Sequence, residues 1–193
     1  MKKSLGKIFI ISGPSQVGKD SIVRKLHHRR SLNLIHVITN TTRSKRLGEK
    51  HKIYINFLTD KQFDKLIATN KLLEWAMFSG FRYGTSKQPV LKALQQGHNV
   101  ILNIEYQGAR QVKSKIPEAV LIFINAESPK EIKRRIYASP KMTVTQKLTR
   151  WQTAQKELQA KKHFTYEVIN RRDKLEETVN EVAKIIKTEL KSP

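Results

Sequence analysis

At 193 residues and 38% hydrophobic content, the chain can enclose the core of one domain, and no apolar run reaches membrane-spanning length. Its 38 Lys and Arg against 16 Asp and Glu leave a net charge of +22, which attracts polyanions such as nucleotides, nucleic acid or anionic lipid. The absence of cysteine excludes disulfides and thiolate metal centres, and it suits a cytoplasmic protein.

The apolar run IFII behind Lys2 and Lys3 is too short for a signal peptide. Within Lys7–Ser12 it predicts a buried first strand that ends at a glycine loop. A helix is predicted from Asp20 to about Arg29, with Ile22, Val23 and Leu26 on its apolar face. Leu34 to Thr39 reads as a strand, and Asn40 to Phe57 as a polar, basic, irregular stretch. Thr59 and Gln62 form a capping-box pair that opens a helix through Phe63, Leu66 and Ile67. A further helix is predicted over Gln88–Gln96, closed by Gly97. The near-continuous apolar runs Asn99–Ile104 and Ala119–Ile124 suit central strands of a parallel sheet. Ser128, Pro129 and Glu131 supply the cap, first-turn proline and capping-box acid of a helix. Leu175, Val179, Val182, Ile185, Ile186 and Leu190 make the stripe of a final helix. Alternating strands and helices define an α/β class with a parallel core, into which the polar stretches near 34–86 and 130–160 are inserted.

Three clusters carry chemistry. The first, Gly13–Ser21 (GPSQVGKDS), nearly fits the phosphate-loop pattern G-x-x-x-x-G-K-[ST], in which backbone N–H groups and the lysine hold phosphates. Gly13, Gly18 and Lys19 match; Asp20 stands at the hydroxyl position and Ser21 follows one residue late. The second, TTRSKRLGE over 41–49, brings two arginines three apart, able to converge on one phosphate, with Glu49 beyond them as an acceptor for ring N–H and amino groups. Alone, this run reads as a solvated basic loop. The third, LEWAMFSGFRYGTS over 73–86, sets Glu74 and Tyr83 in an apolar, glycine-punctuated stretch that would otherwise read as packing of a small subdomain.

Taken in order, these runs resemble the guanylate kinase family, with its GPSG-type loop, TTR-x-x-R-x-GE and LE-x-A…YGT. The chain continues with ILNIEYQGARQV (101–112), similar to the family's ILDID-x-QGA-x-QV. Arg150, Ala154, Glu157 and Leu158 are similar to its R-L-x-x-A-x-x-E-L, and Val168-Ile-Asn170 to its V-x-N. The resemblance covers nearly the whole chain. It implies a P-loop NTPase-type sheet flanked by helices, in one domain: core 1–33, 87–129 and 160–193, GMP-binding subdomain 34–86, and lid 130–159. The implied reaction is magnesium-dependent transfer of the ATP γ-phosphoryl group to GMP. Lys19, Arg46, Arg135 and Arg150 are then the catalytic cations. Gly13, Pro14, Ser15, Gln16, Val17, Gly18, Lys19, Asp20, Ser21 and Asn170 would bind ATP. Thr39, Arg43, Arg46, Glu49, Glu74, Tyr83 and Asn103 would bind GMP, and Asp20, Ser21 and Glu105 would hold the metal.

The chain departs from the family pattern at identifiable points. Gln16 replaces a loop glycine, Asp20 a hydroxyl or glycine, and Ile55 a phosphate-binding tyrosine, with Tyr54 adjacent. Asn103 and Glu105 replace two aspartates, and Ser139 a second lid arginine, for which Lys141 could stand in. The GKDS sequence is also similar to the ribose bisphosphate kinases, which lack the LEWA and TTR…GE runs. Two alternatives stay open at this stage: a related small-molecule kinase with a shifted acceptor, and a non-catalytic guanylate-kinase-like binding module. Nucleic acid ranks below nucleotides as a partner, and monomer and homodimer are both compatible with the sequence.

Overall fold

The computed structural model describes residues 5–46, 49, 54–140 and 142–191. The element order is β1 Ile8–Ser12, α1 Lys19–His27, β2 Leu34–His36, β3 Thr39–Thr41, β4 Ile55–Phe57, α2 Asp60–Ala68, β5 Leu72–Phe78 and β6 Phe81–Ser86. It continues with α3 Lys87–Gln95, β7 Asn99–Asn103, α4 Tyr106–Lys115, β8 Val120–Asn125, α5 Pro129–Tyr137, α6 Val144–Ala160, β9 Tyr166–Ile169 and α7 Leu175–Lys191.

Two sheets organise these elements. The larger runs β2-β7-β1-β8-β9, and all its pairings are parallel. Such a sheet must be covered on both faces, which is why β1 and β8 are apolar at nearly every position. Side chains alternate between faces. Phe9, Ile11, Ile101 and Ile122 therefore pack with Ile22, Val23 and Leu26 of α1 and Val179, Val182 and Ile186 of α7. Ile8, Ile10, Val100, Leu102 and Leu121 pack on the opposite face with Val90 of α3 and Ala109 and Val112 of α4. Ile132 and Ile136 of α5 and Ala154 of α6 extend the first cluster. The smaller sheet runs β4-β3-β6-β5 and is mixed, with β3–β4 parallel and β3–β6 and β5–β6 antiparallel.

Helix signals sit where the sequence places them. The Thr59–Gln62 capping box is reciprocal. Ser128 accepts from the Glu131 N–H with Pro129 in the first turn, while the Glu131 side chain turns to Arg134 and Arg135 instead of completing a box. Gly97 closes α3 at φ 78°. The strand expected over 34–39 is corrected: it is two strands in two sheets, Leu34–His36 beside β7 and Thr39–Thr41 beside β4 and β6. The run LIHVIT carries no mark of where the chain leaves one sheet for another. Leu34 pairs with Asn99 in the larger sheet. The stretch 40–57, read as irregular, holds the end of β3 and all of β4. No helix among the described residues is long and apolar enough to cross a membrane.

Candidate functional site

In a parallel sheet the carboxyl ends of all strands open on one edge, where ligands bind. Here that edge carries Gly13 after β1, Asn103 at the end of β7, Glu105 before α4 and Asn170 after β9.

The loop from Gly13 to Gly18 is bent by left-handed residues. Gly13 has φ 139° and Gly18 φ 94°. A Cβ on Gly13 would run into the Ile124 carbonyl, and one on Gly18 would lie 2.6 Å from Asn170 Nδ2. Gln16 also takes a positive φ, 66°, so a residue with a Cβ holds a conformation that costs about 1–2 kcal/mol. Lys19 opens α1 and donates back to the Gly13 carbonyl and, at 2.9 Å, to the Pro14 carbonyl. Asp20 is exposed, and its Oδ1 accepts from Asn103 Nδ2 at 2.6 Å. Ser21 is the next residue of the helix.

Helix α6 comes down onto Ser15. Arg150 donates to Ser15 Oγ at 2.7 Å, and Glu157 accepts from the Ser15 backbone N–H. The sequence alone assigns Glu157 no role; its spacing of two helical turns from Arg150 is the signal that sets both on one face. Glu157 also faces Glu105. Burial first, and this second carboxyl next, push the Glu157 carboxyl well above the usual range, with Lys19 pulling weakly the other way. Glu105 Oε2 and Glu157 Oε2 are both buried without a partner.

Asn170 is buried with its polar groups committed: Nδ2 donates to the Val17 carbonyl at 2.7 Å, and Oδ1 accepts from Thr178 at 2.8 Å. Its own carbonyl accepts from Arg135 at 2.9 Å. Arg135 is further held by Glu131 at 2.7 Å and Glu127 at 3.1 Å. Arg135, Asn170, Gly18, Ser21 and Leu175 line a cleft of about 220 Å³ beside the loop.

The smaller sheet holds the second group. Arg43, 8% exposed, makes a two-pronged salt bridge with Glu49 at 2.8 and 2.9 Å, and the Arg46 backbone N–H donates to Glu49 at 2.7 Å. These bonds, that from Arg43 first, hold the Glu49 carboxyl below its ordinary range. Arg43 Nε is buried without a hydrogen-bond partner, and Tyr83 lies near the guanidinium. Thr39 stands opposite Thr85, whose hydroxyl donates to Glu74 Oε1 at 2.6 Å. Burial drives the Glu74 carboxyl up to about 7.

The structure thus gathers Lys19, Asp20, Asn103, Glu105, Arg135, Arg150 and Asn170 at the edge of the larger sheet, and Arg43, Arg46, Glu49, Glu74, Tyr83 and Thr39 on the smaller one. Tyr54 packs its ring against His36, with centroids 5.5 Å apart, and Ile55 pairs with Thr39. Ser139 follows the end of α5, while Lys141 lies outside the described residues. As a donor set for a divalent cation, the Asp20 carboxylate and Ser21 hydroxyl are hard oxygens on adjacent residues of one helical turn, chemistry that fits magnesium. Arginines and a lysine at the edge of the larger sheet can bind phosphate oxygens, and the Glu49 and Glu74 carboxyls of the smaller sheet can accept hydrogen bonds.

A family model for guanylate kinase matches residues 5–189 of the chain. A guanylate kinase of Thermobifida fusca is 41% identical over 164 residues, covering 85% of this chain and 83% of that protein. That of Carboxydothermus hydrogenoformans is 37% identical over 188 residues, covering 97% and 91%. The crystal structure of guanylate kinase from Anaplasma phagocytophilum superposes with a TM-score of 0.81 at 25% identity, covering 100% of this chain and 90% of that one. With its loop, its two sheets and this breadth of similarity, the chain belongs to the guanylate kinase family.

Proposed function

We propose that the protein transfers the γ-phosphoryl group of ATP to GMP, giving ADP and GDP. The observation that carries this reading is the meeting of Lys19 and Arg150 at the Gly13–Gly18 loop, with Arg135 on the wall of the adjoining cleft. A phosphate oxygen of GMP attacks the γ-phosphorus in line, and the bond from that phosphorus to the bridging oxygen of ADP breaks. This chemistry needs positioning and charge neutralisation more than proton transfer.

The glycine loop is the phosphate-binding loop of this reading. Lys19 leaves the carbonyls of Gly13 and Pro14 for the phosphates of ATP. Arg150 exchanges the Ser15 hydroxyl for the transferring group, with Arg135 and Arg46 alongside. Asn170 serves ATP by holding the loop at Val17, since its side chain is already engaged there. Asp20 and Ser21, with Glu105 as a further oxygen donor, would hold magnesium, which when bound neutralises charge on the β- and γ-phosphates. On the smaller sheet, Arg43, Arg46 and Tyr83 take the GMP phosphate, Thr39 and Glu74 complete the acceptor site, and Asn103 reaches towards the acceptor from the end of β7 in the larger sheet. Glu49 reads the guanine N1–H and amino group. Adenine offers that carboxylate no N1–H or 2-amino donor, and forgoing a hydrogen bond to a charged group costs about 1.5–3 kcal/mol. Residues 34–86 and 130–159 act as acceptor-binding and lid units around the core, and closure of the lid limits hydrolysis.

The test is ADP release by the purified chain with magnesium and ATP against GMP, dGMP, AMP, UMP and CMP. A GMP-selective rate is expected. Background rates with every acceptor, from protein shown to be folded, would overturn the reading.

A further inference from the structure

We propose that Asp20 and Asn103 form a two-part cation holder that makes ATP binding conditional on the divalent metal. The proposal rests on the kinase reading above and deepens it.

Asp20 occupies an unusual electrostatic position. It is the second residue of α1, beside Lys19, in the turn whose N–H groups face the loop. A carboxylate there repels a bare triphosphate and attracts a metal-bound one. In a chain of net charge +22, an exposed acid has many possible cationic partners. Asp20 has no salt bridge among the described residues, and its neighbour Lys19 turns to the loop carbonyls instead. What holds it is a neutral group: Asn103 Nδ2 donates to Oδ1 at 2.6 Å, from a position 83 residues away at the end of β7. An amide donor fixes the carboxylate without cancelling its charge. One oxygen is therefore anchored, while Oδ2 and the Ser21 hydroxyl have no hydrogen-bond partner among the described residues. Asn103 is a positioning residue in this arrangement. An aspartate at 103 would set two carboxylates against each other, so the identities at 20 and 103 depend on one another.

The test is calorimetric titration of the full chain with ATP, once with EDTA and once with saturating magnesium, for wild type, Asp20→Asn, Asn103→Ala and Asn103→Asp. Wild type is expected to bind ATP about tenfold or more tightly with the metal than without it, since one repelled unit charge at contact range is worth about that factor. Asp20→Asn should shrink this ratio towards one, chiefly by tightening metal-free binding. Asn103→Ala should lower the ratio in part by releasing the carboxylate. Asn103→Asp should weaken metal-free ATP binding further. Binding of manganese to the ATP-bound protein, followed by electron paramagnetic resonance, should weaken in Asp20→Asn. An equal ratio in wild type and Asp20→Asn, with ATP still bound by both, would overturn the holder and leave the kinase reading standing. Failure of folded wild-type protein to bind ATP under either condition would overturn both.

Discussion

Glu74 is a carboxyl group that burial has almost cut off from water, with the Thr85 hydroxyl as its main compensation. Its folded-state value of about 7 lies above the ordinary 4.5. The sign follows from proton binding: between these values the native state holds a proton that the unfolded chain has released. This contribution to stability is full below about 4.5 and is lost as pH rises towards 7, amounting to about 3 kcal/mol. Glu74→Gln keeps the acceptor for Thr85 and removes the ionisation. The stability difference between variant and wild type, from urea unfolding without ligand, should therefore move in the variant's favour by about 3 kcal/mol across that window. A difference flat with pH would refute the buried-acid account. GMP affinity of the variant should drop, which separates binding from folding. The presence of Glu74 in an apolar stretch was legible in the sequence, as was the departure at Gln16, now found at φ 66°. The partners of the site residues were not. Arg43 with Glu49, Asp20 with Asn103 and Glu157 with Glu105 are pairings of the folded chain, and two of the three join segments far apart in sequence.

Elements reach the site through close packing, and α4 against β5 is the clearest case. β5 is an edge strand of the smaller sheet, with backbone groups that need partners. Gln111 of α4 supplies both kinds: its Oε1 accepts from the Trp75 N–H at 3.2 Å, and its Nε2 donates to the Trp75 carbonyl at 2.6 Å. Lys115 adds a bond to the Leu73 carbonyl at 2.5 Å. The helix can approach this far because position 108 is glycine; an added Cβ would collide with the Glu74 carboxylate. That carboxylate is buried and anchored by Thr85, so displacing it breaks a buried hydrogen bond, and Gly108→Ala should destabilise by about 1–3 kcal/mol. It should also weaken GMP binding while leaving ATP binding within about twofold, because the clash is at Glu74, the residue proposed above for the acceptor. Equal losses for both nucleotides would point to general unfolding instead. The sequence marks helix ends well, since caps such as Thr59–Gln62 act within one turn. It does not mark why Gly108 is small, because the atom that demands it belongs to a strand more than thirty residues earlier.

For the whole molecule, the arrangement of charge matters as much as its total. The α/β class with a parallel core was legible from the apolar runs, because strands buried on both faces have to read that way. Strand order was not, and neither was the passage of 34–41 from one sheet to the other; both depend on long-range pairing. Net charge was legible as a number, and its consequence can now be separated from the site. A surplus of this size creates an attractive field for anionic nucleotides that reaches about 10 Å at 0.1 M salt and about 3 Å at 1 M. The cations at the loop act at contact distance, where salt screens little. Long-range capture and short-range chemistry should therefore respond differently to ionic strength. Raising sodium chloride from about 50 to about 500 mM should lower kcat/KM for both ATP and GMP several-fold, while kcat stays within about twofold. Steady-state kinetics at fixed free magnesium measures both. A salt-independent kcat/KM would mean that the basic surface takes no part in gathering substrate, whereas a matching fall in kcat would place the salt-sensitive charges at the transferring phosphoryl group itself.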